Sequence, residues 1–146
     1  MDSEIAAGLA KAGVASAEKH LFLCLGPDCC DPAAGERVWE FVKRRVRESG
    51  LRAMRTKAGC FRICAGGPWL CVYPEGVWYG AVDEARFERI LGEHLLGGVP
   101  VREWVVVRNS LGCGEGGAEF REAAGEFRAR EIRGADGPPD ARESAG

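Results

Sequence analysis

Residues 69–82 read WLCVYPEGVWYGAV. The run from Trp69 to Tyr73 is apolar and rich in aromatic and β-branched side chains, which favours a buried strand. A tight turn is expected at Pro74-Glu75-Gly76, after which a second apolar run extends from Val77 to Val82. The stretch therefore predicts a β-hairpin.

The residues before the hairpin predict a strand, a helix and a weaker strand. His20–Cys24 is a short apolar run. Asp31 and Pro32 suit the N-cap and the first turn of a helix. That helix is amphipathic, with valines at every fourth position, and it ends at Gly50. Residues 51–57 alternate weakly and predict the second strand.

A second helix and an edge strand are expected after the hairpin. Asp83 is a capping residue, and apolar residues keep helical spacing from there to Gly97. Residues 105–107 are three valines, which suit an edge strand. The alternation predicts an α/β fold with a mixed four- to five-stranded sheet and two main helices in one layer.

Composition and charge limit the possible functions. The chain has 146 residues, of which 46% are hydrophobic and 29% charged, as in a globular protein with one core. The net charge of −2 predicts no nucleic-acid partner. We expect neither a membrane span nor a signal peptide, because no long apolar run is present. An odd number of cysteines without a secretion signal favours reduced thiols in the cytoplasm.

Composition also divides the chain into three parts. Residues 1–18 are small and polar, and they predict a mobile N-terminal arm or a loosely docked helix. Residues 19–110 contain the alternating elements and predict the folded domain. Residues 111–146 are rich in Gly, Ala and Glu and predict a disordered acidic tail, in which Cys113 is an incidental thiol.

Most of the seven cysteines lie in two groups, Cys24 with Cys29 and Cys30, and Cys60 with Cys64. Each group lies in a loop at the end of a predicted strand. Thiolates bind iron–sulfur clusters and zinc tightly, so the pattern predicts one soft-metal site built from two loops. Structural zinc sites and thiol–disulfide oxidoreductases commonly show C-x-x-C spacing, which neither group has. A buried core position suits Cys71 alone.

Three stretches resemble the thioredoxin-like [2Fe-2S] ferredoxins: LFLC at residues 21–24, GCFRICAGGP at 59–68, and VYPEGVWYG at 72–80. The resemblance covers about residues 20–110. It implies a thioredoxin-like fold, a [2Fe-2S] cluster and one-electron transfer between redox partner proteins, and it commonly implies a homodimer. The alternative function is a non-catalytic regulatory or scaffold module that zinc or a cluster stabilises.

The resemblance also implies the ligands. Cys60 and Cys64 match the family's Gly-Cys-x-x-x-Cys-x-x-Gly-Pro loop, and Cys24 matches the ligand that ends the first strand. For the remaining ligand, the distance to the helix core favours Cys30, whereas a four-residue spacing after Cys24 favours Cys29. We take Cys30, so the predicted set is Cys24, Cys30, Cys60 and Cys64.

Two surfaces are candidates for partners. Arg55, Lys57 and Arg62 flank the second cysteine loop and suit either a solvated basic edge or a docking site for an acidic protein. Residues 77–79 and 104–107 are expected to lack cover on the sheet and to form the homodimer interface.

Overall fold

The computed structural model describes residues 1–111, whose centre is one five-stranded mixed sheet in the order β2-β1-β3-β4-β5. The strands are β1 (Lys19–Cys24), β2 (Ala53–Ala58), β3 (Trp69–Tyr73), β4 (Val77–Tyr79) and β5 (Val105–Arg108). β1 and β2 are parallel, and every other neighbouring pair is antiparallel. The predicted mixed sheet and its central hairpin are confirmed.

Within residues 1–111, three α-helices and two short helical turns accompany the sheet: α1 (Ser3–Ala12), α2 (Pro32–Ser49), α3 (Glu84–Ile90), a π-helical segment (Leu91–Leu96) and a 3₁₀ turn (Arg102–Trp104). The predicted ends of α2 are confirmed. Asp31 accepts a hydrogen bond from the Ala34 backbone N–H at 2.9 Å, and Gly50 ends the helix in the left-handed region with φ of +71°.

One face of the sheet packs against α2 and α3 and forms the main core. Leu21 and Leu23 of β1 lie on this face, and the buried valines of α2 cover them. Val77 and Tyr79 of β4 belong to the same core and have no exposed surface. The expectation that they lie uncovered on the sheet is therefore wrong. Alternation along a strand places only Trp78 on the opposite face.

The opposite face of the sheet carries aromatic side chains and is called the aromatic face below. His20 stacks on Phe22 with ring centroids 4.0 Å apart, and the Phe22 ring meets Tyr73 edge-on at 6.1 Å. Trp78 contacts Phe61 of the second cysteine loop at 5.1 Å. These five rings are half-buried, and of the five, Phe61 belongs to a cysteine loop and Trp78 contacts it.

The structure describes the predicted N-terminal arm but almost none of the predicted C-terminal tail. The predicted N-terminal arm contains α1, a capped helix of which no residue is buried. The predicted tail at residues 111–146, with Cys113, lies outside the described residues except for Leu111, so its disorder stays a prediction. Over residues 1–111, none of the helices is both long and apolar enough to cross a membrane.

Candidate metal centre

The candidate site consists of two pairs of thiols at one end of the sheet. The Sγ atoms of Cys24 and Cys29 lie 3.5 Å apart, and those of Cys60 and Cys64 lie 3.9 Å apart. Two thiolates bound about 2.3 Å from one tetrahedral metal are separated by roughly 3.8 Å. Each pair therefore has the spacing of two ligands on a single metal, and the pairs are neighbours because the Cys64 N–H donates to Cys29. Within residues 1–111 no three metal-binding side chains surround one ion, so the arrangement suits a two-metal cluster with two thiols for each metal.

The first pair is buried where β1 ends. Cys24 is the last residue of β1, and a turn that follows brings the chain back, with the Cys29 backbone N–H donating to the Gly26 carbonyl at 2.9 Å. The two loops touch here: a Cβ on Gly26 would lie 2.6 Å from the Gly59 oxygen, and one on Gly67 would lie 2.9 Å from Cys29. Glycine is required at both contacts because the backbones approach so closely.

The second pair is exposed and lies in a loop with unusual backbone angles. Arg62 and Cys64 both have positive φ, at 62° and 52°. This conformation aims backbone donors at the thiols: the Arg62 N–H donates to Cys60 Sγ at 3.1 Å, and the Cys64 N–H donates to Cys29. Such donors stabilise thiolate charge, as the ligands of an iron–sulfur cluster require.

Cys30, the predicted second ligand, is placed differently from its neighbour. Its Sγ would lie 2.9 Å from a Cβ on Gly35, so it packs into the notch that this glycine leaves in the first turns of α2. Leu25 lines the same notch. The structure thus brings Cys24, Cys29, Cys60 and Cys64 together, and it places Cys30 beside α2.

The thiol pKa values show how the site and a metal would complement each other. Burial, followed by the neighbouring Cys24 thiol, raises the pKa of Cys29 to about 11. The Cys60 thiol, followed by burial, raises the pKa of Cys64. Without metal these cysteines stay protonated at neutral pH, whereas bound cations deprotonate thiols and offset the charge. The donor set therefore fits a cationic, thiophilic group.

Two of the three basic residues that flank the second loop have partners on α2. Lys57 forms an ion pair with Glu36 of α2, with Nζ and Oε2 at 2.5 Å, and Arg55 donates to the Lys43 carbonyl at 3.1 Å. Their positions on the α2 side of β2 support the interpretation as a solvated basic edge. Cys71 is 1% exposed, as predicted for a core residue, and burial raises its pKa to about 12.

Sequence reasoning missed the contribution of Trp69 to this site. Its ring forms a small apolar cluster with Cys24 and Cys29. Its indole N–H donates to the Ala65 carbonyl at 2.7 Å, directly after Cys64. The cross-strand position of Trp69, opposite Cys24, could have indicated this contact once the hairpin register was known.

Comparison with known proteins gives the family. No protein-family model matches the chain. A 2Fe-2S ferredoxin of Clostridium pasteurianum is 43% identical over 92 residues, which are 57% of this chain and 90% of the relative. A 2Fe-2S ferredoxin of Aquifex aeolicus is 32% identical over 98 residues, 60% of this chain and 88% of the relative.

A solved structure shares the fold as well. The thioredoxin-like [2Fe-2S] ferredoxin from Aquifex aeolicus superposes with a TM-score of 0.58 at 29% identity, over 64% of this chain and 94% of that one. The fold, the paired thiols and the extent of sequence identity all indicate the same family. This chain belongs to the family of thioredoxin-like [2Fe-2S] ferredoxins.

Proposed function

We propose that this protein is a one-electron carrier that works between redox partner proteins and holds a single [2Fe-2S] cluster. Family membership and the two thiol pairs, with Sγ separations of 3.5 Å and 3.9 Å, support the proposal. When bound, such a cluster supplies reversible one-electron chemistry and needs two thiolates for each iron.

The ligand set that we propose is Cys24 and Cys29 on one iron, with Cys60 and Cys64 on the other. Cys29 takes the place that the sequence assigned to Cys30, because its thiol meets Cys24 and receives the Cys64 N–H. Cys60 and Cys64 are exposed, so their loop offers partners the shorter route to the cluster. We further propose a cytoplasmic location, where thiols stay reduced until the cluster is assembled.

Serine replacement separates the two adjacent cysteines. We expect Cys29→Ser to lose or strongly shift the visible charge-transfer bands and the EPR signal of the dithionite-reduced protein, because a ligand is changed. Cys30→Ser is expected to keep both spectra, because its thiol packs on Gly35. Cys71→Ser is a matched control, since Cys71 is a buried thiol that belongs to neither pair.

The same spectra decide between the functions. If Cys30→Ser bleaches the protein and Cys29→Ser does not, the ligand assignment is wrong. If the wild type gives no EPR signal after reduction but contains one zinc per chain, the protein is the metal-stabilised module and not an electron carrier.

We also propose that the protein forms a two-fold homodimer through the aromatic face. This face is the apolar sheet surface opposite α2 and α3, and half-buried rings such as Phe22 and Tyr73 favour association over solvation. Trp104 is a poorer candidate than expected, because Arg86 and Arg89 stack on its ring at 5.2 Å and 4.8 Å.

Light scattering tests the dimer directly. We expect a mass near twice the 15.7 kDa of one chain, and a monomer for Phe22→Asp, which places a charge on the aromatic face. Val99→Asp is the control, because Val99 is 60% exposed and lies outside that face. A monomeric wild type would contradict the proposal, and a Phe22→Asp dimer would place the interface elsewhere.

A further inference from the structure

We propose that Trp69 is a positioning residue that shields the inner half of the cluster site and holds the second cysteine loop in place. The inference rests on the proposed function, specifically on Cys24 and Cys29 as ligands. It starts from the unequal exposure of the four thiols. Cys24 is 0% and Cys29 is 7% exposed, whereas Cys60 and Cys64 are exposed.

The large side chain of Trp69 packs against the two buried thiols. It is 6% exposed and forms the second apolar cluster together with Cys24 and Cys29. Trp69 pairs with Cys24 across the antiparallel strands β1 and β3, so the two side chains lie next to each other on one face. Phe61, Ala58 and Val106 close the edges of the cluster.

The same side chain fastens the exposed half of the site. Its indole N–H donates at 2.7 Å to the carbonyl of Ala65, which follows Cys64 directly. One residue of β3 therefore contacts the buried thiols with its ring and the exposed loop with its polar edge. A buried tryptophan needs such a partner for its N–H, so the hydrogen bond fixes ring and loop together.

The surrounding backbone is shaped to hold the indole. A Cβ on Gly80 would lie 3.3 Å from the Trp69 ring, which is tighter than an ordinary contact. The Ala81 N–H donates to the Gly66 carbonyl at 2.7 Å, and the Val82 N–H donates to the Pro68 carbonyl at 3.0 Å. These bonds join the end of the loop to the end of β4, and the ring lies between the two.

The expected consequence is a lower reduction potential and slower loss of iron. Reduction adds a negative charge next to the thiolates, and an apolar wall that excludes water disfavours the more charged state. Replacing Trp69 by valine opens the inner side to water and removes the bond to Ala65. Mutation of a residue that supports a metal ligand typically lowers metal affinity by about 10- to 100-fold.

The test compares Trp69→Val and Trp69→Phe with Trp104→Val in the cluster-loaded full chain. Trp104 is a matched control because it is a partly buried tryptophan that packs on the main core. We expect Trp69→Val to release iron to a chelator about tenfold faster than wild type and to shift the midpoint potential to more positive values. Trp69→Phe should change the iron-release rate and the midpoint potential in the same direction by less. Trp104→Val should change neither quantity.

Three results decide the proposal. If Trp69→Val lowers thermal stability as Trp104→Val does but keeps the wild-type potential and release rate, Trp69 is only a core residue. If Trp69→Val does not fold, a folded Trp69→Phe with wild-type values overturns the proposal in the same way. Full iron content in Cys24→Ala, which offers the iron no ligand atom, would instead show that the ligand assignment failed, whatever Trp69 does.

Discussion

Replacing Gly76 by alanine is expected to lower the free energy of unfolding by about 3 kcal/mol, the sum of a backbone and a packing cost. Gly76 has φ of +63°, in the left-handed region that L-residues avoid. A Cβ there would lie 1.7 Å from the Asn109 carbonyl oxygen, while the Asn109 N–H donates to the Gly76 carbonyl at 2.7 Å. The chain beyond β5 must therefore move away from the hairpin turn.

Gly50→Ala is the control that separates these two costs. Gly50 has φ of +71°, and a Cβ there would have no neighbour within 4 Å. We expect it to lose only about 1 kcal/mol for the backbone conformation. Urea denaturation of both variants, followed by far-UV circular dichroism, gives the difference. Equal losses would show that the contact with Asn109 relaxes without cost.

The hairpin and α2 could be predicted because their signals are local. Gly76 was expected in a tight turn, and Asp31 and Gly50 were expected at the ends of α2. Each of these residues acts through its own backbone conformation or through a neighbour a few positions away. Tertiary packing therefore did not need to be known.

Which of the two adjacent thiols, Cys29 or Cys30, lies beside Cys24 is harder to predict, because it depends on the path of the chain through the turn. Cys29 and Cys30 are adjacent, so the chain direction at the turn decides which thiol faces Cys24. The turn on Gly26 and the notch at Gly35 orient them, and both are visible only in three dimensions. Counting residues back from the helix core favours Cys30, whereas the 3.5 Å separation of the Cys24 and Cys29 Sγ atoms favours Cys29, and the serine variants decide between them.

The orientation of β4 was predictable in principle. Strand side chains alternate between the faces, so Val77 and Tyr79 must lie opposite Trp78. The sequence interpretation treated all three as one uncovered surface. The structure buries Tyr79 through a specific partner, His94, which helical spacing alone did not link to the hairpin.

His94 lies at the centre of a buried polar network far along the sheet from the thiols. It has no exposed surface, and its Nδ1 lies 2.8 Å from the Tyr79 hydroxyl. That hydroxyl accepts the Val101 N–H at 3.2 Å, and its own O–H is available to donate to Nδ1, an arrangement in which the neutral ring carries its proton on Nε2. Nε2 faces Glu75 Oε1 at 3.7 Å, and Lys19 pairs with the same carboxylate.

The network keeps His94 neutral at physiological pH. Burial, followed by the positive charges of Lys19 and Arg108, lowers the pKa of His94 to about 4 from an ordinary value of 6.5. Glu75 would favour the charged ring, but Lys19 already compensates its carboxylate. Glu93 is a second acidic group near this network, and it pairs with Arg89. The folded state thus excludes a proton that the unfolded chain binds.

The sign of the pH dependence follows from this difference. The pKa of His94 is lower in the folded protein than in the unfolded chain. The neutral ring therefore makes its full contribution to the stability of the folded protein above pH 6.5, and this contribution is lost as the pH falls from 6.5 towards 4. Between pH 7.5 and 5.0 the wild type should lose about 2 kcal/mol of unfolding free energy through His94 alone. This loss adds to any contribution from carboxylates.

His94→Gln should remove that loss, because glutamine can accept the Tyr79 hydrogen bond but does not titrate. Urea denaturation at pH 7.5 and 5.0 measures the change, and the variant should lose about 2 kcal/mol less than the wild type between the two values. His20→Gln is the matched control: partial burial lowers the pKa of His20 as well, but this ring is on the aromatic face and should account for little of the slope. A pH dependence that His94→Gln leaves unchanged would contradict the prediction, because it would mean that folding does not shift the pKa of His94. A variant that loses more stability than the wild type between the two pH values would mean that Glu75 raises the pKa of the buried ring instead.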